Sequence, residues 1–265
     1  MPKIGQYIPR NSSIHSKDPR TKILVTLFFT VSIFFYSSFI SYAIIFFAVF
    51  IIILKTGVPF GNFLNTIKGV VSILLLTVFF NLFWSKGGNI IWSLGIFKIT
   101  DESLSYAVKM LLRLVLLVIS SSIMTMTTSP MDLTAGIEAI FSPLKKFKLP
   151  IGEMATMISI ALRFVPILLD EAERIYKAQA SRGANFNSGS LIERAKKLLP
   201  ILIPLFSAAI SRADELSVAM ESRCYSPGSS RTKRCPLCYK SADIIFIFGS
   251  VLFLAGLFLA EYFIF

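Results

Sequence analysis

Residues 23–54 read ILVTLFFTVSIFFYSSFISYAIIFFAVFIIIL, a run of 32 without one charged side chain. A single spanning α-helix needs about 20 residues at about 1.5 Å each, so the run is too long for one crossing and suits a helical hairpin. The polar cluster Tyr36-Ser37-Ser38-Phe39-Ile40-Ser41-Tyr42 supplies the turn, and its tyrosines are expected at the membrane–water interface. Working outward, further crossings are expected over 64–84, 104–126 and 242–265, while 90–97 is too short and reads as an interfacial piece. The fold class that follows is an all-α integral membrane protein with about five transmembrane helices. Four regions are expected: a cytoplasmic leader 1–22, a four-span region 23–126, a non-crossing region 127–240 and a final span 241–265.

Composition agrees. Of 265 residues 54% are hydrophobic and only 16% charged, against about 45–50% and about 25% in ordinary soluble domains. A soluble globule cannot hide that much apolar surface, which excludes a simple cytosolic enzyme. The 25 phenylalanines point to lipid as the solvent. A cleavable signal peptide is not expected, because the polar leader is long and no small-residue cleavage site follows the apolar run. Lysine and arginine total 27 against 15 acidic residues. On the five-span layout 23 of these 27 fall on one face, with only Lys86 and Lys98 opposite and Lys109 and Arg113 inside a span. The positive-inside rule then puts the N-terminus in the cytoplasm and the C-terminus outside, in a multi-pass protein of the cell membrane.

The non-crossing region carries the unusual chemistry. A helix start at Ser129-Pro130-Met131-Asp132 leads into a short amphipathic piece over 137–149, and two long helices are expected at about 151–181 and 190–222. The first is apolar nearly all round before Asp170, broken by Arg163, and charged after it. In the second, 198–210 carries no charge and Arg212, Asp214, Glu215 and Glu221 follow, so each has one end suited to an apolar environment and one suited to water or a partner. Pro200 and Pro204 are expected to kink or break the second.

A repeat singles out the ends. Residues 171–183 read EAERIYKAQASRG and 212–224 read RADELSVAMESRC, aligned at an offset of 41. They share Ala172/Ala213, Ala178/Ala219, Ser181/Ser222 and Arg182/Arg223. Two equivalent helix tips ending in arginine are what a two-fold or pseudo-two-fold partner requires. Arginine complements the negative end of the helix dipole, is always charged, and grips a carboxylate with two parallel bonds. The plain structural alternative is a solvated terminal charge worth well under about 1 kcal/mol. Gly183 can stop the first helix in the left-handed conformation.

The chain resembles the T component, the energy-coupling transmembrane subunit, of energy-coupling factor transporters, a class of ABC-type importer. The resemblance rests on Gly5-Gln6-Tyr7-Ile8-Pro9 with Ser13, His15, Asp18-Pro19-Arg20 and Lys22, and on Thr127-Thr128-Ser129-Pro130-Met131-Asp132-Leu133. It continues through Leu162-Arg163-Phe164-Val165-Pro166, Ala178-Gln179-Ala180-Ser181-Arg182-Gly183, Arg212-Ala213-Asp214 and Ala219-Met220-Glu221-Ser222-Arg223. It implies two long cytoplasmic coupling helices crossing in an X. Each ends in an X-Arg-X motif, here Ser181-Arg182-Gly183 and Ser222-Arg223-Cys224, that docks on one of two ATP-binding cassette ATPase subunits. The apolar halves would support a membrane-embedded substrate-binding S component, in uptake of vitamins or transition-metal ions. The family usually has Ala-Arg-Gly at both tips; this chain departs at Ser181, Ser222 and Cys224.

Other chemistries find little support. No G-x-x-x-x-G-K-[ST] phosphate loop and no G-x-G-x-x-G occurs, so no catalytic residue or cofactor is expected and energy must come from another chain. Cys235 and Cys238 have zinc-like spacing, but Cys224 and His15 are the only further soft ligands, against the usual four, so no metal site is expected. His15 is expected to serve the leader's local structure, with Asp18 as N-cap and Pro19 first in the opening helix. Arg113 inside a span costs about 2.5–3.5 kcal/mol on insertion scales, and either makes a functional contact or snorkels along a tilted helix. Basic and acidic residues interleave in 127–240 without an aromatic–basic groove, so nucleic acid is not an expected partner, whereas attraction to anionic headgroups is compatible. The alternatives left open are a membrane scaffold recruiting other cytosolic proteins and a self-contained secondary transporter.

Overall fold

A computed structural model describes residues 7–84, 90–94, 97–184, 186, 190–226 and 237–264. It divides into one unit of residues 1–139 with 236–265 and a second of residues 140–235. Eight α-helices, one 3-10 helix and one two-stranded antiparallel sheet make up the described secondary structure. Among the described residues the protein is all-α apart from those two strands.

In the first unit, α1 (Pro19–Ser32) opens as the sequence predicts, with Asp18 accepting from the Arg20 amide at 2.9 Å and Pro19 in the first turn. At 14 residues α1 is about 21 Å long, short of the roughly 30 Å hydrocarbon core. By length and apolarity alone, five helices could span: α2 (Phe39–Thr56), α3 (Phe60–Trp84), α4 (Asp101–Thr127), α6 (Ile151–Ser181) and α8 (Ser241–Ile264). α1 runs alongside α8, with Tyr36 just beyond its end bonded to Leu254. α6 joins them because its first half is so apolar, the same gradient that marks it as a long amphipathic helix.

The hairpin turn falls between Ile33 and Ser38, so only Tyr36-Ser37-Ser38 of the expected cluster lies in it and residues 39–42 open α2. The cluster's tyrosines are buried within the protein. Tyr36 and Tyr42 are each 1% exposed in a core with Ile45, Val49, Leu116 and Leu254. Burial is tolerated because each hydroxyl finds a carbonyl: Tyr42 donates to Tyr36 at 2.8 Å and Tyr36 to Leu254 at 2.8 Å. Arg113 of α4 reaches the same turn. It donates from Nε and Nη2 to the Tyr42 hydroxyl at 3.1 and 2.9 Å and from Nη2 to the Tyr36 carbonyl at 3.0 Å. Its guanidinium lies 5.5 Å from the Phe34 ring. Arg113 thus clamps the α1–α2 turn to α4. On the other side, Glu261 of α8 accepts from the Ser38 amide at 2.8 Å and from the Ser37 and Ser41 hydroxyls at 2.8 and 2.9 Å, tying α8 to the start of α2.

Of the short apolar piece at 90–97, Ile90–Leu94 forms strand β1, which pairs antiparallel with β2 (Phe97–Thr100). The hairpin delivers the chain into α4, whose Thr100 and Ser103 cap each other reciprocally. α4 packs against α1, α2 and α3, and α1 against α8. α5 (Pro130–Phe141) follows, capped by the Ser129 hydroxyl accepting from the Asp132 amide at 3.1 Å. Its Gly136 approaches α1 so closely that an added Cβ would stand 3.0 Å from Ile23 Cδ1 and 3.1 Å from Pro19 Cβ.

The leader folds back over the end of α4. The Ile8 amide donates to the Met126 carbonyl at 3.1 Å, and buried Lys22 donates to the carbonyls of Thr127 at 2.8 Å and His15 at 3.1 Å. His15 plays the local role expected of it: Nε2–H donates to the Ile8 carbonyl at 3.0 Å and Nδ1 accepts from the Ser12 hydroxyl at 2.7 Å. Burial pushes its pKa below the ordinary value. Across these helices the large apolar side chains that remain exposed, such as Phe47, Ile73, Leu75, Phe248 and Leu252, form the lipid-facing surface of a membrane protein.

The second unit is built on α6 and α7 (Leu191–Glu221), preceded by a 3-10 segment, Ser142–Phe147. Both long helices lie where the periodicity predicts. Ser190 and Glu193 form a capping box at the start of α7. Pro200 and Pro204 do not break α7, and Pro166 lies within α6 in the same way. Three missing backbone donors are spread over two helices of 31 residues, whose remaining hydrogen bonds carry the helices through.

Candidate functional site

The six residues of the repeated motif lie at the C-terminal ends of α6 and α7, and all six are exposed. The two ends are closed in the same way. At the first, the Gly183 amide donates to the Ala180 carbonyl at 3.0 Å and the Ala184 amide to Gln179 at 3.1 Å, across a left-handed Gly183 with φ 88°. At the second, the Cys224 amide donates to Glu221 at 2.9 Å and the Tyr225 amide to Met220 at 3.0 Å, across Cys224 with φ 57°. This is the Schellman closure, and its acceptors Gln179 and Met220 are themselves 41 positions apart. The missing glycine at 224 therefore does not change how α7 ends; cysteine takes the left-handed conformation instead. Each hydroxyl of the serine pair turns back onto its own helix, Ser181 to Lys177 at 3.0 Å and Ser222 to Ala219 at 3.1 Å.

Each arginine thus stands immediately before the left-handed residue, next to carbonyls at the negative end of its helix dipole. Among the described residues neither Arg182 nor Arg223 has an ion-pair partner. Both forks are left to water or to a second molecule. Beyond α6 the chain folds back, with the Phe186 and Tyr176 rings 4.9 Å apart.

The helices meet before their tips. Ile160, Phe164 and Leu168 of α6 and Ala209, Ala213, Leu216 and Met220 of α7 line a mostly apolar cleft of about 310 Å³. At its edge Arg212 comes 3.9 Å from Glu171. These two residues occupy the same column of the repeat, as do Leu168 and Ala209, so the helices touch at equivalent positions. From that contact each tip arginine is eleven residues on, about 16 Å along its helix. The inter-helix ion pair escapes a search for identities, because the repeat matches glutamate with arginine at that column. The signal that finds it is charge complementarity between the two copies.

No group of three or more potential metal ligands occurs among the described residues. Cys224 and Cys238 are free and exposed, whereas Cys235 lies outside the described residues, as do Gly5 and Gln6 of the leader.

The fold and this geometry define a class: an all-helical, multi-pass membrane protein carrying two matched, exposed cationic helix ends. The family model for CbiQ, a cobalt transport protein, matches residues 10–234. Energy-coupling factor transporter transmembrane proteins EcfT are similar over nearly the whole chain. That of Ruminiclostridium cellulolyticum is 43% identical over 259 residues, covering 98% of this chain and 97% of the relative. That of Acidaminococcus fermentans is 48% identical over 242 residues, covering 91% and 90%. That of Thermosediminibacter oceani is 45% identical over 255 residues, covering 96% and 95%. The chain belongs to the CbiQ/EcfT family of transporter membrane components.

Proposed function

We propose that this chain is the non-catalytic energy-coupling subunit of an importer, linking two cytosolic ATP-binding cassette ATPases to a membrane-embedded S component that binds a vitamin or transition-metal ion. The observation that carries the reading is the pair of tips, alike in sequence and in backbone closure and each offering an unengaged arginine. A heterodimeric or homodimeric ATPase presents two related surfaces, and two related helix ends answer that geometry. On this reading Ser181-Arg182-Gly183 docks on one ATPase and Ser222-Arg223-Cys224 on the other. The arginine fork is the contact made to a carboxylate or to oriented carbonyls. The names of the relatives support transport and energy coupling. Basic residues concentrated in the leader and in 127–240 support a cytoplasmic N-terminus and leave α6 and α7 on that same side.

The test is co-purification and uptake with Arg182→Ala, Arg223→Ala and the double variant in the assembled transporter. Loss of one member of a buried charged pair costs about 3–5 kcal/mol, so ATPase retention and uptake should fall with each single variant and most in the double. Lysine should rescue only in part, because it lacks the two-pronged geometry. Wild-type uptake and normal ATPase association in the double variant would show the arginines to be ordinary surface charges.

A further inference from the structure

Between α5 and α6 the chain reads SPLKKFKLP over 142–150. All of the side chains described here are exposed, and Phe147 at 79% is among the most exposed large apolar residues of the chain. Leu144 and Leu149 are exposed with it. In a 3-10 turn, side chains three apart share one edge, which puts Leu144 beside Phe147. Three lysines, at 145, 146 and 148, interleave with these apolar residues, and no acidic residue occurs between Glu138 and Glu153. Pro143 and Pro150 bracket the segment and limit its freedom before anything binds.

The chemistry suits a surface that is apolar inside and anionic outside. Lysine stems lie along apolar material while their ammonium groups reach phosphates, and phenylalanine and leucine enter the acyl boundary. Covalent connection supplies such a surface. α4, a spanning helix, ends at Thr127, and the 12 residues of α5 reach about 18 Å from it. We propose that 142–150 is a membrane-surface anchor for anionic phospholipid headgroups, with Leu144, Phe147 and Leu149 as the inserted edge and Lys146 and Lys148 as headgroup ligands. The anchor is independent of the arginine tips and survives their removal.

The experiment uses the full chain in lipid nanodiscs of phosphatidylcholine alone or with one-third phosphatidylglycerol, carrying Phe147→Trp, with the parent chain as background for Trp84 and Trp92. The added indole should be blue-shifted and quenched by brominated acyl chains in the phosphatidylglycerol discs, and much less so in phosphatidylcholine. Each lysine near an anionic surface is worth about five-fold, so Lys146→Ser with Lys148→Ser should lower the bound-to-free ratio about 25-fold. Should that variant fold poorly, a salt titration of the F147W chain decides the same point, because high salt must release the indole. A water-exposed indole in both discs overturns the proposal. So does equal quenching that ignores headgroup charge and salt, or shielding that arises only when other protein subunits are added.

Discussion

Gly183→Ala isolates what the Schellman closure does for the α6 tip. A Cβ at Gly183 would meet nothing within 4 Å, so no clash contributes and the whole effect lies in the backbone at φ 88°. Holding alanine in the left-handed region costs about 1–2 kcal/mol, and the stiffer unfolded chain returns about 0.4–1 kcal/mol. The net, about 1 kcal/mol, is roughly a five-fold rise in the fraction of time the tip is open. The reporters are the Gly183 and Ala184 amides, bonded to Ala180 and Gln179, whose hydrogen exchange in the full chain should accelerate by that factor. Cys224→Gly is the mirror experiment: it removes the same strain at φ 57°, so the Cys224 and Tyr225 amides should exchange no faster than before. G183A should also weaken ATPase retention although Arg182 is untouched, because the guanidinium is then carried on a fraying end. Unchanged exchange in G183A, or accelerated exchange in C224G, would refute the view that left-handed closure positions the arginines.

Arg113→Leu removes three hydrogen bonds from the α1–α2 turn while Tyr42 keeps its bond to Tyr36, so stability should fall by about 2–3 kcal/mol, read as a lowered unfolding temperature in detergent. Gly136→Ala forces a methyl to 3.0 Å from Ile23 and 3.1 Å from Pro19, and should cost about 1–3 kcal/mol in the same assay. Ser190→Ala removes the α7 capping box and should cost about 1 kcal/mol, seen as faster exchange across the first turn of α7. Because burial holds His15 below the ordinary histidine pKa, the unfolded leader takes up a proton first. The contribution of neutral His15 is therefore full above about pH 6.5 and is lost as pH falls below it, so proteolysis of the leader should quicken at pH 5 and not in His15→Gln.

Much of the fold is legible because it depends on local chemistry. The 32-residue apolar run, the Asp18-Pro19 start and the Gly183 stop state their own conformations, and the bounds of both long helices follow from periodicity and caps. Length is less legible than hydrophobicity. Nothing in the composition of 23–54 says that regular helix geometry ends at Ser32 and resumes at Phe39. The buried tyrosines are hidden for a related reason. An interfacial and a buried tyrosine differ only in where the hydroxyl finds a partner, and here those partners are carbonyls of Tyr36 and of Leu254, the latter 218 positions away. Arg113 is the same case, its ligands lying 71 and 77 positions upstream. At the tips, the arginines are legible from the repeat, whereas the matched closure at Cys224 is not, because cysteine carries no left-handed preference in sequence.

The position of the inter-helix contact bears on how two such tips could act together. Glu171 and Arg212 are partly exposed and 3.9 Å apart, so their attraction is weak and screened, under about 1 kcal/mol. What holds α6 to α7 there is apolar contact around an imperfectly filled cleft. Apolar contact resists separation but has no fixed direction, so it lets the helices pivot or slide more readily than a hydrogen-bonded joint would. The roughly 16 Å from joint to tip is three turns of helix, short enough to stay straight and equal on both sides. On the proposed reading a force at one tip is therefore met at a joint shared with the other, and the apolar halves beyond it respond to both. Equal arms are useful only if two partners push alike, which is the physical reason for the chain to keep the same ending twice, 41 residues apart.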